Sequence, residues 1–223
     1  MTQGAIGYQI QQAMQIELIR RGIYKSVVSL ITQVMVDSTD PAFQNPSKPI
    51  GIFYTKKEAD EIKAFNPTFV MKEDAGRGWR HVVASPKPIS ICEINAIQTL
   101  SDAGCVVVTC GGGGIPVINN NHDLQGVSAV IDKDFASELL AEQLNSDILI
   151  ILTAVDQVCL NYNKPNQQKL KQLSLVEAER YIAENQFAPG SMLPKIQAAM
   201  QFVRSNTNRK ALITSLQKVS AAL

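Results

Sequence analysis

The sequence predicts an α/β fold in which a mainly parallel open sheet is covered by helices on both faces, a three-layer αβα sandwich with a small lid subdomain. Two observations carry that expectation. Residues 104–118, Gly-Cys-Val-Val-Val-Thr-Cys-Gly-Gly-Gly-Gly-Ile-Pro-Val-Ile, run an apolar stretch without polar alternation straight into four glycines. A strand of that pattern is covered on both faces, as in a parallel sheet under helices. Residues 148–152 form a second uninterrupted apolar run that leaves through Thr153, Ala154, Val155 and Asp156. Two strand ends with polar exits place a crevice at the carboxyl edge of the sheet, where open α/β folds bind ligands.

The chain of 223 residues is 45% hydrophobic, enough for one main domain with one excursion from it. A net charge of +1 gives no general field for nucleic acid or acidic membranes, so binding specificity has to be local. No apolar run is long enough to cross a bilayer, and residues 1–21 show neither a basic n-region nor an apolar h-region. A soluble, cytoplasmic protein is expected. Cys92, Cys105, Cys110 and Cys159 form no C-x-x-C pair, which points to buried thiols rather than zinc or disulfides. Only His81 and His122 are present and no G-x-S-x-G occurs, which leaves out a histidine-rich metal site and a serine triad. His122 falls in the polar run 119–123 and is read as a solvated loop residue.

In chain order, Ile6, Ile10, Ala13, Met14 and Glu17 recur at helical spacing, so a helix opens the chain and Gly22 stops it. Residues 27–36 are β-branched and read as one central strand. Pro41, Pro46 and Pro49 among Asp, Asn and Ser break any regular element over 37–51. Thr55 with Glu58 forms a capping box for a helix over 56–64, and short strands around Gly76 and Gly78 follow in 69–83, with Trp79 anchoring the hairpin to the core. Residues 37–88 together make the lid. Ser90 with Glu93 repeats the capping box for a helix whose buried stripe is Ile91, Ile94, Ile97 and Leu100, ended by Gly104. Residues 126–131 lead to a helix burying Ala136, Leu139, Leu140 and Leu144. Ser174 and Glu177 cap the next helix; Pro194 at N1 starts another, with Ile196, Ala199, Met200 and Val203 inward. A strand over 211–214 and a helix begun over 219–223 close the chain.

Two features suggest a bound anion. Gly111, Gly112, Gly113 and Gly114 lack Cβ atoms, so a phosphate can approach their N–H groups; a tight turn at a strand end explains the same run equally well. Lys133 and Lys195 each fall in the first turn of a helix, where partial positive charge disfavours a cation unless an anion compensates. One such lysine is noise, an exposed residue without a role; two suggest a shared phosphate. Asp132 and Asp134 are open to an N-cap reading. Tyr162 either covers a base or simply packs.

With these residues in hand, the chain resembles the carbamate kinases, of the amino-acid kinase fold, across its whole length. The resemblance is carried by Met1-Thr2-Gln3-Gly4, Asp40-Pro41-Ala42-Phe43, Asn45-Pro46-Ser47-Lys48-Pro49-Ile50-Gly51, Glu73-Asp74-Ala75-Gly76-Arg77-Gly78-Trp79-Arg80, Ser85-Pro86-Lys87-Pro88 and residues 111–116, 130–136 and 189–196. It implies reversible phosphoryl transfer between carbamoyl phosphate and ADP, giving ATP and carbamate, with Mg2+ and in a homodimer. It also implies that Lys133 and Lys195 neutralise the migrating group and Asp134 orients them. Lys48 is implied to be brought over the site by the mobile lid. Thr153, Val155, Asp156, Tyr162 and Met192 are implied to surround the nucleotide.

The family's opening strand with a Gly-Gly-Asn turn, its Gly-Asn-Gly-Pro-Gln loop and its closing Gly-Thr strand do not occur here. The expectation is an amino-acid kinase domain over 1–223 truncated at both ends. Two alternatives stay open, a non-catalytic fragment that binds nucleotide or a partner, and an amino-acid kinase acting on a carboxylate such as glutamate or aspartate.

Overall fold

A computed structural model describes residues 2–74, 76–120 and 123–222. Met1 and Ala75 of the motifs above, His122, and Leu223 of the closing helix lie outside the described residues. The chain divides into two compact units, one running through Lys133 and one beginning at Asp134.

In the first unit, α1 (Thr2–Arg20) ends at Gly22, whose φ of +68° suits a left-handed stop. The strand expected over 27–36 is broken into β1 (Val27–Ser29) and β2 (Gln33–Val36). The break is at Thr32, fully buried, whose hydroxyl donates to Leu30 O (3.1 Å) and accepts from the Thr109 hydroxyl (2.6 Å) and Cys110 N–H (3.0 Å). A threonine that spends its side chain on nearby backbone in this way leaves the regular ladder. The α1 helix supplies further partners: the amides of Val27, Ser29 and Thr32 donate to the side chains of Gln15, Gln11 and Gln3 at 3.1, 2.9 and 2.8 Å. These glutamines stand where a neighbouring strand would bond. Gly7, on the same helix face, admits Ser29, whose hydroxyl donates to Gly7 O at 2.9 Å.

The excursion starts with a single 3-10 turn, Pro41–Phe43, and contains β3 (Lys48–Tyr54), α2 (Lys56–Phe65), β4 (Val70–Glu73) and β5 (Trp79–Val83). The Thr55/Glu58 capping box forms as expected, and the strands make an antiparallel sheet in the order β3-β5-β4. One Asp40 oxygen accepts from Ala42 N–H (2.8 Å) and the other from Lys87 N–H (3.0 Å), which ties the two ends of the excursion together. Trp79 lies under the Lys63 ammonium, 5.6 Å from the ring centroid, so it packs on the excursion's own helix.

Ser90 and Glu93 do not cap a helix. Ser90 sits in β6 (Pro88–Ile91), opposite Met35, and α3 (Ile94–Asp102) starts without a side-chain cap. The Glu93 carboxylate instead accepts from Gln33 N–H (2.7 Å) and its side-chain amide (3.0 Å), because β2 needs a partner there more than the helix end does. Beyond β7 (Val106–Val108) come the glycine turn Gly111–Gly113, then β8 (Ile115–Asn120) and β9 (Asp123–Gly126), a hairpin where a polar loop was expected. Parallel pairs join β1 to β7 and β2 to β8, and the larger sheet runs β6-β2-β8-β9.

The second unit holds α4 (Lys133–Gln143, whose first residue belongs to the preceding unit), β10 (Ile148–Thr153), β11 (Cys159–Leu160), β12 (Gln168–Lys169), α5 (Leu175–Ala183), α6 (Met192–Ser205), β13 (Lys210–Ser215) and α7 (Val219–Ala222). β10 and β13 pair in parallel in register from Ile148 opposite Lys210 to Thr153 opposite Ser215. The Ser174/Glu177 capping box forms. Fully buried Ala198 and Phe202 pack on Ala141, Leu149 and Ile151, while Ile196 and Met200 pack on Val158, Leu160, Ala178 and Phe187. Ala199 and Val203 are only half-buried, so the inward face of α6 is turned from the one expected. β10 is covered on one face only: Leu149 and Ile151 are buried, Ile148, Ile150 and Leu152 exposed.

α4 departs furthest from its apolar pattern. Its buried residues are Asp134, Ala136, Glu138 and Ala141, with Leu139, Leu140 and Leu144 half-buried. Glu138 is 1% exposed, and its Oε1 has no hydrogen-bond partner among the described residues. Burial, then the neighbouring Glu142, push its carboxyl up from an ordinary 4.5 to about 7 against the pull of Arg209.

Two tests follow from this packing. Thr32→Val keeps the shape but strands the Cys110 amide and the Thr109 hydroxyl, and should lower the unfolding free energy by about 1–3 kcal/mol in a denaturant titration. For Glu138, the folded state holds its proton to about pH 7 while the unfolded chain releases it near 4.5, so between those values the unfolded state binds fewer protons. Stability should therefore fall as pH rises from 4.5 through 7, and Glu138→Gln should flatten that slope and be the more stable protein at pH 8.

Candidate active site

The glycine loop is built from left-handed backbone: Cys110, Gly112, Gly113 and Gly114 have φ of +52°, +68°, +98° and +84°. The four glycines serve two different needs. A Cβ on Gly113 would lie 2.3 Å from Ile131 O, and one on Gly114 2.3 Å from Val34 Cγ2, so these two are glycines because backbone and β2 press against them. A Cβ on Gly112 would meet nothing within 4 Å, and one on Gly111 only Gln3 Cγ at 3.4 Å. Gly111 and Gly112 border a cavity of about 170 Å³ whose lining includes Gln3, Gly7, Ser29 and Thr109. The turn explanation thus accounts for Gly113 and Gly114 by contact and for Gly112 by its φ, while Gly111 and Gly112 are the pair with open space beside them. Burial pushes the Cys110 thiol up to about 11, which keeps it un-ionised beside the loop.

Still within the first unit, Lys48 opens β3 and its ammonium donates to Asp132 Oδ2 at 2.7 Å. Asp132 directly precedes α4, whose first two residues are Lys133 and Asp134. Lys133 is exposed.

In the second unit, Lys195 of α6 donates to both oxygens of Asp134, at 3.0 and 2.7 Å. The two side chains are 10% and 8% exposed. The position of Lys195 in the first turn of α6 holds, although Pro194 is third in the helix rather than first, a place that also needs no N–H. Removing two opposite charges from water is unfavourable, and only close geometry offsets it. A buried pair of this kind at a helix start points to a task other than stability.

Of the residues expected around a nucleotide, Thr153 ends β10 opposite Ser215. Asp156 accepts from the Ser215 hydroxyl through Oδ1 (2.5 Å) and from the Thr214 hydroxyl through its carbonyl (3.0 Å), which fastens the exits of β10 and β13. Val155 is half-buried between them in sequence, and Met192 opens α6 on the cluster around Val158 and Phe187. Tyr162, on the loop between β11 and β12, is 53% exposed. Asp132, an N-cap candidate by sequence, instead takes Lys48, and Ser215 and Glu138 are further polar residues that the motifs do not point to.

The pattern of the Amino acid kinase family matches residues 8–215. The carbamate kinase of Clostridium perfringens is 56% identical over 222 residues, which cover 100% of this chain and 70% of that protein. A carbamate kinase-like protein of Escherichia coli is 55% identical over 223 residues, covering 100% and 71%. Among solved structures, carbamate kinase from Giardia lamblia bound to AMP-PNP superposes with a TM-score of 0.89 at 46% identity, over 99% of this chain and 69% of that one. With a matching pattern over nearly its whole length and relatives more than half identical, this chain belongs to the amino acid kinase family.

Proposed function

We propose that the chain works as a carbamate kinase, transferring a phosphoryl group reversibly between ATP and carbamate and forming ATP from carbamoyl phosphate and ADP in arginine breakdown. The observation that carries this is the buried Asp134–Lys195 pair, with Lys133 beside it at the start of α4. Two N–H groups of Lys195 go to Asp134, which aims the third; a phosphoryl oxygen is the acceptor we assign to it. Lys133 gains from the same anion, since a cation in a first helical turn is otherwise opposed by the helix dipole.

No general base is required. Carbamate is already an anion, so its oxygen forms the new bond to phosphorus as the bond to the departing ADP oxygen breaks. The protein's tasks are to align the two and to place positive charge around the transferred group. We assign Gly111 and Gly112 to the phosphate through their backbone N–H groups, with Gly113 and Gly114 holding the turn, and Lys48 to the carbamoyl side. Thr153, Val155, Asp156, Tyr162 and Met192 are assigned to the nucleotide. Mg2+ is assigned to the nucleotide phosphates, on which it would arrive with few ligands from the protein. Bound there, the ion neutralises phosphate charge. No described helix is long and apolar enough to cross a membrane. We place the protein in the cytoplasm as a homodimer, with residues 37–88 acting as a lid.

Coupled ATP formation from ADP and carbamoyl phosphate by the 223-residue chain tests the reading. ADP binding without turnover would instead support a non-catalytic nucleotide binder, and turnover only with glutamate or aspartate another acceptor. Lys195→Ala should lower kcat about 100- to 1000-fold, the effect of losing one preorganised donor. Because it also strands a buried carboxylate, it should lose roughly 3–5 kcal/mol of stability. Lys195→Met combined with Asp134→Asn should recover most of that stability and none of the turnover; a rate within a few-fold of the parent would remove Lys195 from the mechanism.

A further inference from the structure

The Lys48–Asp132 contact has a geometry that assigns Asp132 a task. Lys48 stands at the root of the three-stranded sheet, paired with Val83 at the end of β5, and Ser47 N–H donates to Val83 O at 3.1 Å. Ala84 then forms a parallel bridge to Ala129, and Val130 N–H donates to Ala84 O at 2.9 Å. Two residues after Val130 the chain reaches Asp132, whose Oδ2 takes the Lys48 ammonium at 2.7 Å. Backbone bonds on one side and an ion pair on the other thus close a ring that fixes where this lysine's nitrogen can be.

We propose that Asp132 is the positioning residue for Lys48, holding its ammonium at the entrance to α4 with N–H groups left over for an anionic substrate; this rests on the phosphoryl-transfer reading above. The pair is only partly buried, with side chains 33% and 15% exposed. A pair at this depth adds little to global stability and acts locally, on the root of β3 and on where the lysine is held. A lysine side chain is long and loses much rotamer freedom when one end is held. Asp132 also neighbours Lys133 in the chain, so its carboxylate offsets repulsion between Lys133 and the Lys48 it binds. Within the second unit, Asp134 takes Lys195 in the same way.

The test is a double-mutant cycle in the full chain with Asp132→Asn, Lys48→Met and both together. If Asp132 acts through Lys48, Asp132→Asn should lower kcat about 10- to 100-fold by misplacing a charge, with the KM for ADP within about two-fold. In the Lys48→Met background it should add less than about two-fold; losses that multiply would show that Asp132 acts without Lys48, and the proposal falls. Amide exchange supplies a readout that needs no turnover. In Asp132→Asn the Ser47 amide should exchange about ten-fold faster or more while the β10 and β13 amides are unchanged. Unchanged exchange at Ser47 overturns the proposal even in an active enzyme, whereas faster exchange in a protein without turnover upholds the ion pair and sinks only the reaction assigned to it.

Discussion

The glycine loop is held by one threonine. Thr32 accepts Cys110 N–H on its hydroxyl and Ile115 N–H on its carbonyl, at 3.0 and 2.8 Å, so both ends of the loop hang from the same buried residue. Its amide and carbonyl are shared with the Gln3 side chain of α1. Thr32 is fully buried and its partners are polar groups at buried or part-buried contacts, and an unmet group in such a network is expensive. That expense makes the loop a defined structure rather than a floppy glycine run. It also explains why a strand that reads as continuous is cut in two at Thr32.

Charge placement follows a related rule in α4. Asp132 and Asp134 alternate with Lys133 and each takes a lysine delivered by a different element, Lys48 from β3 and Lys195 from α6. Carboxylates so used leave α4 with acids where an amphipathic helix would bury leucines. Glu138, one turn beyond Asp134 and equally buried, belongs to this polar face but has no lysine, and burial raises its pKa instead. Favourable and unfavourable buried acids on one helix are the expected mark of a face shaped by chemistry rather than by packing.

Much of the local structure was legible. The capping boxes at Thr55 and Ser174, the stop at Gly22, the hairpin around Gly76 and Gly78 and the helical lysines all rest on interactions within a few residues, and all formed. The same signature at Ser90 and Glu93 failed because Glu93 found a partner sixty residues away in sequence, at Gln33. Buried faces were misjudged in α4 and α6 because hydropathy spacing ignores ion pairs and cannot register which of two adjacent apolar stripes a neighbouring strand will cover.

What the sequence determined by itself was the set of pieces and the kind of chemistry: apolar runs with polar exits, four adjacent glycines, lysines in first helical turns, and motifs long enough to mark a family. Those features are local or are fixed by residue order. Only the tertiary structure decided which two of the glycines face open space, that Asp132 and not water receives Lys48, and that Lys195 is buried against Asp134. Each depends on groups distant in the chain meeting within hydrogen-bond range, and no spacing rule in one dimension encodes which carboxylate a given lysine will reach.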